Sequence, residues 1–312
     1  MSSPNGEPLI LILMGTFNGQ RFTRDQLDSI ASQTHNNWKL VISDDGSTDR
    51  TLEIARCWAK EVGGERVVFR NGPQQGFARN FLSMACDKNL KADFYAFSDQ
   101  DDIRRADKIS SAVSYLREAK EICPSLCCGR TAYIGKDSDV HALSQLFKKR
   151  PCFHNALVQN LTGGNTMLFN NQTKDLLEKA GLRVNEAFHD WQTYLLVTGC
   201  EGFVFYDETP RVLYRQHDRN SLGGNLGWRA HLVRWNKLLK ENFKEWTNLN
   251  TAALSKVQYL LSKNNREILA DFLTARNSNV IRRCLALKRL GIYRQTMLGN
   301  PGLLIGLLLN KI

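Results

Sequence analysis

Residues 94–102 read Phe94-Tyr95-Ala96-Phe97-Ser98-Asp99-Gln100-Asp101-Asp102. The apolar run at the start predicts a buried strand, and three carboxylates follow it within four positions. Ligand sites of parallel sheets lie beyond the carboxyl ends of their strands. Adjacent carboxylates repel one another, and Mg²⁺ or Mn²⁺ relieves that repulsion through hard oxygen ligands while leaving positions open for substrate phosphates. The alternative is a solvated acidic turn that caps a helix beginning near Ala106.

Working outward from this stretch, apolar runs and helical patterns alternate four times. Strands are predicted at residues 9–14, 39–43, 66–70 and 94–97, and helices at residues 23–33, around Leu52 to Trp58, at 77–89 and at 106–120. This alternation predicts an α/β fold in which helices flank a mainly parallel sheet. The sequence lacks both the glycine fingerprint of dinucleotide-binding proteins and the P-loop motif, which argues against a dehydrogenase and a P-loop enzyme.

A second acidic segment follows the second predicted strand and reads Asp44-Asp45-Gly46-Ser47-Thr48-Asp49. Asp44 or Asp45 can accept hydrogen bonds from ribose hydroxyls or a base N–H, as acidic groups at strand ends do in other nucleotide-binding folds. Alternatively, Ser47 or Thr48 caps the next helix and the aspartates favour its positive end. The two interpretations are compatible.

The composition is that of an ordinary globular protein: 312 residues, 42% of them hydrophobic and 23% charged. The net charge of +11 lies entirely in residues 228–312, which hold 15 Lys and Arg against 4 Asp and Glu, while residues 1–227 hold 27 of each. Such a basic region suits anionic lipid or nucleic acid. We find no secretory leader pattern and no paired zinc-ligand spacing among the eight cysteines, so a cytoplasmic protein with reduced thiols is expected.

Four segments in this order resemble glycosyltransferase family 2, and most of all the rhamnosyltransferase-type enzymes of bacterial surface polysaccharide assembly. They are Thr16-Phe17-Asn18-Gly19, Gln33-Thr34, residues 43–49 and residues 97–102, and the resemblance covers residues 8–222. It implies a GT-A fold, a nucleotide-sugar donor with dTDP-rhamnose as the best candidate, Mg²⁺ or Mn²⁺ as cofactor, and inversion at the anomeric carbon. It also implies a saccharide or lipid-linked saccharide as acceptor.

The resemblance and the strand ends together indicate the candidate site residues. The expected donor-binding residues are Thr16, Asn18, Asp44, Asp45, Arg79, Asp99, Gly164 and Arg215. The expected metal ligands are Asp99, Asp101 and His217, with Asp102 as the alternative to either aspartate.

Asp190, within Phe188-His189-Asp190-Trp191, precedes a helix predicted at residues 192–199. The resemblance assigns it the role of general base, since the acceptor hydroxyl must lose its proton as it attacks the anomeric carbon opposite the leaving nucleoside diphosphate. The alternative is a simple N-cap aspartate. Earlier in the chain, residues 161–169 predict a strand entered through Gly163 and Gly164, where glycine either permits a ligand to approach closely or forms a bulge.

Residues 212–214 predict a strand that places Arg215 and His217 on the same side. A guanidinium suits a diphosphate and a neutral imidazole can complete a metal site; a polar surface loop is the alternative. Residues 220–227 are rich in Gly and Asn and predict a mobile segment over the donor. Residues 122–160 predict loops with at most one strand.

We divide the chain into a catalytic domain at residues 1–225 and a basic helical region at residues 226–312. Leu and Ile recur at helical spacings in the second part, and the apolar end at residues 301–309 is too short to span a bilayer. The region is expected either to lie on an anionic membrane or to form a helical layer packed on the catalytic domain or on a second subunit.

Three other functions compete with glycosyl transfer. A nucleotidyltransferase that makes the activated sugar would also use aspartates and a metal, but would be expected to carry a basic, Gly-rich phosphate loop, and residues 15–19 contain no Lys or Arg. A nucleic-acid-binding module would explain the basic tail, yet the tail's aromatic residues sit among apolar helical positions, so no nucleic-acid partner is expected. A non-catalytic scaffold is disfavoured because four polar clusters follow strand-like runs.

Overall fold

The computed structural model describes residues 6–118, 123–135, 138–161, 163–182, 188–216, 242–296 and 299–309. The first part confirms the predicted alternation. Its elements are β1 (Ile10–Thr16), α1 (Thr23–Ala31), β2 (Trp38–Asp44), α2 (Thr51–Val62), β3 (Val67–Asn71), α3 (Phe77–Ala85), β4 (Phe94–Ser98), the two-residue strand β5 (Ile103–Arg104) and α4 (Lys108–Glu118).

The second part continues the same sheet and ends in helices. Its elements are β6 (Ser125–Ile134), β7 (Val140–Leu143), α5 (Phe153–Ala156), β8 (Leu168–Asn170), α6 (Asn171–Ala180), α7 (His189–Gly199), β9 (Phe203–Arg215), α8 (Asn242–Lys256), α9 (Lys263–Arg276), α10 (Val280–Arg289) and α11 (Gly299–Leu308).

The strands form one sheet in the order β3-β2-β1-β4-β8-β6-β9-β5, with β7 paired to β6. Strands β1 to β4 pair in parallel, β8 runs antiparallel between β4 and β6, and β6 pairs with β9 in parallel. The predicted mainly parallel sheet is therefore confirmed. Thr16 at the end of β1 lies opposite Asp44 at the end of β2, which brings the polar segments after these strands to one edge.

Helices cover both faces of the sheet, as the unbroken apolar runs require. On β1, Ile10, Ile12 and Met14 face a core built with α1, α2 and α4. Leu11 and Leu13 face a second core that contains residues of α3, α6 and α7. This alternation follows from the two-residue period of a strand.

Two segments differ from the sequence-based expectation. Residues 122–160 were expected to contain at most one strand, but they contain two, β6 and β7, and the short helix α5. The ten-residue β6 lies inside the sheet, and its Cys127 and Cys128 are buried. A buried thiol behaves as a small apolar side chain, so these two cysteines contribute to the apolar character of the strand. Residues 161–169 were expected to form one strand, but a 3₁₀ turn at Gly164–Thr166 precedes the short β8.

The C-terminal helices pack on the first part of the chain and share its core. Leu254, Leu261 and Phe272 belong to the same apolar cluster as Leu13. The Asn265 amide donates hydrogen bonds to the carbonyl oxygens at the end of α7, at 3.2 and 3.0 Å. The helical character of this region is as predicted, whereas the boundary proposed at residue 225 lies outside the described residues. Among the helices described, none is long and apolar enough to cross a membrane.

Lys108, the first residue of α4, provides a test of this packing. Its ammonium is buried without a hydrogen-bond partner among the described residues. Burial, and to a smaller extent the charge of Arg104, lower the pKa of Lys108 to about 7. Since the unfolded chain holds this proton up to about pH 10.4, Lys108 destabilises the fold most at low pH and progressively less as the pH rises above 7.

We therefore expect Lys108→Met to raise the melting temperature, with the largest gain below about pH 7 and little gain above about pH 10.4. Thermal unfolding of both proteins across this range measures the difference. The control is Lys39→Met, which removes the ammonium of an exposed lysine. A pH-independent gain at Lys108 would mean that its ammonium has a partner in solution.

Candidate active site

The carboxyl ends of β1, β2 and β4 open into a cavity of about 1120 Å³. Its wall combines the loops after these strands, the start of α3, the turn at residues 163–165 and the start of α7. Parallel strands place their following loops at one edge, so segments distant in sequence meet here. Of the predicted site residues, the lining contains Thr16, Asn18, Asp45, Asp99, Asp101, Gly164 and Asp190.

The three carboxylates after β4 divide into two kinds. Asp99 and Asp101 line the cavity. Asp102 is buried, accepts a hydrogen bond from the backbone N–H of Arg215 at 3.1 Å, and accepts another from the side chain of Asn165. Asp102 thus links the acidic loop to the end of β9 and to the turn at residues 163–165. The cavity-facing pair is Asp99 and Asp101.

Negative charge accumulates around Asp99. Burial, followed by the charges of Asp101 and Asp190, raises the pKa of Asp99 to about 7, and the buried Arg104 guanidinium offsets only part of this effect. Arg104 lies behind the loop and donates a 2.5 Å hydrogen bond to the Phe97 carbonyl. A cation between the carboxylates would relieve their repulsion, so this donor set fits a hard divalent ion.

The protein groups available to such an ion are few. Within the described residues, no three His, Cys, Asp or Glu side chains stand close enough to hold one metal ion. Two carboxylates nevertheless suffice for Mg²⁺, which commonly binds through one or two carboxylates together with substrate phosphates and water. His217, the third predicted ligand, lies outside the described residues, as does the segment at residues 220–227.

Asp44 and Asp45 have different surroundings although they are adjacent. Asp44 is buried and accepts four hydrogen bonds, from Thr16 Oγ1, Ser47 Oγ and the backbone N–H groups of Gly46 and Ser47. Four is about the full capacity of a carboxylate, so Asp44 shapes the turn. Asp45 lines the cavity and accepts two backbone hydrogen bonds, from Gln74 at 2.6 Å and Gly76 at 3.0 Å.

In the described part of the chain, the cavity lining excludes Asp44 and both predicted arginines, Arg79 and Arg215. Arg79 donates to the Leu182 carbonyl. Arg215 is buried, donates to Asp25 Oδ2 at 3.0 Å and supports the acidic loop by donating to the Asp101 carbonyl at 3.1 Å. Their predicted contacts with a donor diphosphate remain predictions.

Asp190 lies in the first turn of α7 and faces the cavity. Its carboxylate accepts hydrogen bonds from the backbone N–H groups of Gly164 and Trp191, at 3.1 and 2.6 Å. These leave about two lone-pair positions, one of which can accept from a substrate hydroxyl. Burial raises the pKa of Asp190 to about 6, which suits proton transfer near neutral pH.

Two further residues next to the predicted acids contribute to the site. The Gln100 amide both accepts from the Phe17 N–H and donates to the Phe17 carbonyl, each at 2.9 Å, and so fixes the loop after β1 to the acidic loop. The His189 ring stacks on Phe81 with centroids 4.2 Å apart, and burial lowers the pKa of His189 to about 3. Neither residue was assigned a role from the sequence, although each adjoins a predicted site aspartate.

Comparison with known proteins connects this geometry to a family. The model of Glycosyl transferase family 2 matches residues 11–174, more than half of the 312 residues. The chain is 28% identical over 233 residues to dTDP-rhamnosyl transferase RfbG of Shigella flexneri, covering 71% of this chain and 77% of that protein. It is 23% identical over 234 residues to the putative teichuronic acid biosynthesis glycosyltransferase TuaG of Bacillus subtilis strain 168, covering 74% and 87%.

Solved structures share the fold. S. aureus TarS 1–349 in complex with UDP superposes with a TM-score of 0.58 at 14% identity, covering 97% of this chain and 87% of that one. The same fragment with UDP-GlcNAc gives 0.53 at 12% identity, covering 90% and 89%. The chain spans 43% of a longer TarS structure. At these identities the likeness establishes the architecture alone.

Gly164 tests how tightly the site is packed. A Cβ atom at this position would lie 2.4 Å from Nε2 of buried His189, so Gly164→Ala must displace the histidine that precedes Asp190. We expect a loss of about 1–3 kcal/mol in the free energy of unfolding, measured by denaturant titration. The control is Gly64→Ala, since nothing lies within 4 Å of its Cβ position. Equal stability of the two variants would contradict this packing.

Proposed function

The chain belongs to glycosyltransferase family 2 and has the GT-A fold, and from that premise we propose that it is an inverting glycosyltransferase. It moves a sugar from a nucleotide-sugar donor to a hydroxyl of a saccharide or lipid-linked saccharide. The observation that supports this proposal most is the arrangement of one cavity, which the Asp99 and Asp101 carboxylates and the Asp190 carboxylate line together.

The donor binds along the strand ends. Asp45 is the better of the two adjacent aspartates for contacting the nucleoside, because it lines the cavity whereas Asp44 already accepts four hydrogen bonds. Asp99 and Asp101 would hold Mg²⁺ or Mn²⁺, which would offset the charge of the donor diphosphate. The sugar we favour is L-rhamnose from dTDP-rhamnose, on the basis of the 28% identical relative named as a dTDP-rhamnosyl transferase.

Asp190 acts as the general base. Its carboxylate removes the proton of the acceptor hydroxyl as the new bond to the anomeric carbon forms and the bond to the leaving diphosphate breaks. The attack comes from the face opposite the leaving group in a single displacement, so the anomeric configuration inverts. A product with retained configuration, determined by NMR, would rule out this mechanism.

A sugar-phosphate nucleotidyltransferase is the weaker alternative. It would use the same aspartates, but the family match favours transfer of the sugar itself. Incubating the protein with a nucleoside triphosphate and a sugar phosphate distinguishes the two, because only a nucleotidyltransferase releases pyrophosphate from these substrates.

The base assignment predicts a pH dependence. Asp190 must be ionised to accept the proton, so the transfer rate should rise with pH through about 6 and then level off. Asp190→Asn should lower the rate by about 100- to 10,000-fold while donor binding persists. Exposed Asp175 supplies the control, and Asp175→Asn should leave the rate unchanged. A flat profile through pH 6, or an active Asp190→Asn variant, would remove Asp190 from this role.

The metal and the donor are tested together by thermal shift and by nucleotide release. The donors are dTDP-rhamnose, UDP-glucose, UDP-galactose, UDP-GlcNAc and GDP-mannose, each with and without Mg²⁺ or Mn²⁺. We expect one donor to raise the melting temperature only with metal, and Asp101→Asn to lose this shift while Asp175→Asn keeps it. A full donor-dependent shift in chelator would contradict the metal assignment, and a shift confined to another donor would contradict dTDP-rhamnose.

A further inference from the structure

The last two helices, α10 and α11, expose several large apolar side chains to solvent. On α10, Ile281 is 73% exposed and Leu285 63% exposed. On α11 and directly after it, Leu304, Leu308 and Leu309 are 48%, 49% and 53% exposed. Within each helix these residues recur at i and i+4, so they lie on one side. We call the exposed sides of these two helices the α10–α11 face.

Other positions of both helices are held by the protein. Leu287 of α10 and Leu303 and Leu307 of α11 are buried in the core shared with the catalytic part. Buried Arg283 joins the helices by donating to the Leu307 carbonyl at 2.9 Å. The exposed side chains are therefore carried by a fixed pair of helices, and each helix has only ten residues, about half of what a membrane span needs.

The sequence that forms this face is strongly basic. Residues 272–312 contain seven Lys and Arg and no Asp or Glu. Arg282, Lys288 and Arg289 of α10 are exposed, and Arg289 contacts Asp271 of α9 at 3.5 Å in a pair that is exposed on both sides. Exposed leucine and isoleucine beside exposed cations form the pattern of a helix that lies in a membrane interface.

We propose that the α10–α11 face docks on an anionic membrane surface. The apolar side chains enter the boundary between headgroups and acyl chains, and the cations meet lipid phosphates. A second copy of this chain fits less well, because a self-complementary contact would bring the cations of two copies together. Single-stranded nucleic acid fits less well too, since the exposed apolar residues on these helices are aliphatic and offer no base-stacking platform.

Docking on a membrane would narrow the choice of acceptor for the proposed glycosyl transfer, and this consequence rests on the proposed function. A glycosyltransferase held at a bilayer reaches acceptors that are themselves anchored there. Of the two acceptor classes proposed above, the face therefore favours the lipid-linked saccharide. Vesicle binding does not require transfer activity, so failure of either proposal is visible separately.

The test is flotation of the whole chain with vesicles of phosphatidylcholine alone or mixed with phosphatidylglycerol. One variant removes apolar side chains, Ile281→Ser with Leu285→Ser, and another removes charge, Arg282→Gln with Lys288→Gln and Arg289→Gln. The matched controls alter exposed residues elsewhere: Val68→Ser with Val140→Ser, and Lys39→Gln with Lys60→Gln and Lys91→Gln. Thermal unfolding, measured on every variant, confirms that each is folded.

We expect the native chain and both controls to float with the anionic vesicles at low salt and to be released by high salt. The charge variant should bind on the order of 100-fold more weakly, and the apolar variant should also lose binding. Three results would overturn the proposal: no flotation of the native chain at low salt, unchanged flotation of both face variants, or a dimer in light scattering that Ile281→Ser with Leu285→Ser dissociates.

Discussion

The site depends on keeping the carboxylates of Asp99, Asp101 and Asp190 around one cavity despite their mutual repulsion. Their proximity is visible in the raised pKa of Asp99, to which both neighbours contribute after burial. Buried Arg104, behind the loop, offsets part of this repulsion. Arg215 holds the loop in place by donating to the Asp101 carbonyl. A carboxylate cluster that is unfavourable by itself suits the binding of a cation or a proton. Groups with shifted pKa values are concentrated at functional sites for this reason.

Each acidic cluster uses some of its carboxylates for the fold and others for the cavity. Asp44 and Asp102 are buried and accept from backbone N–H groups: Asp44 shapes its own turn, and Asp102 fixes the acidic loop to the end of β9. Asp45 and Asp101, their neighbours in sequence, line the cavity. A loop that presents one carboxylate to a ligand must itself be held in place. The second carboxylate does this by accepting hydrogen bonds from backbone N–H groups.

Much of this could be predicted from the sequence. The strands β1 to β4 follow from unbroken apolar runs, and the meeting of Asp45, Asp99 and Asp101 follows from the shared edge of parallel strands. The central strand β6 was difficult because its buried positions include two cysteines. The surroundings of Asp44, Arg79 and Arg215 were not predictable, since residue type at a strand end does not reveal which hydrogen-bonding positions the protein itself occupies.

The C-terminal helices show the same limit in another form. A basic helical region with an apolar end suggested either packing on the catalytic domain or contact with a membrane, as if one excluded the other. The structure packs some apolar positions of α10 and α11 into the shared core and leaves other aliphatic side chains exposed. The spacing of apolar residues in the sequence shows which side chains of a helix can be buried. How many of them are buried depends on the surface against which the helix packs. Because both helices have more apolar side chains than the core covers, packing and a second contact are compatible. The exposed Arg282, Lys288 and Arg289 of α10 would favour an anionic surface as that second contact.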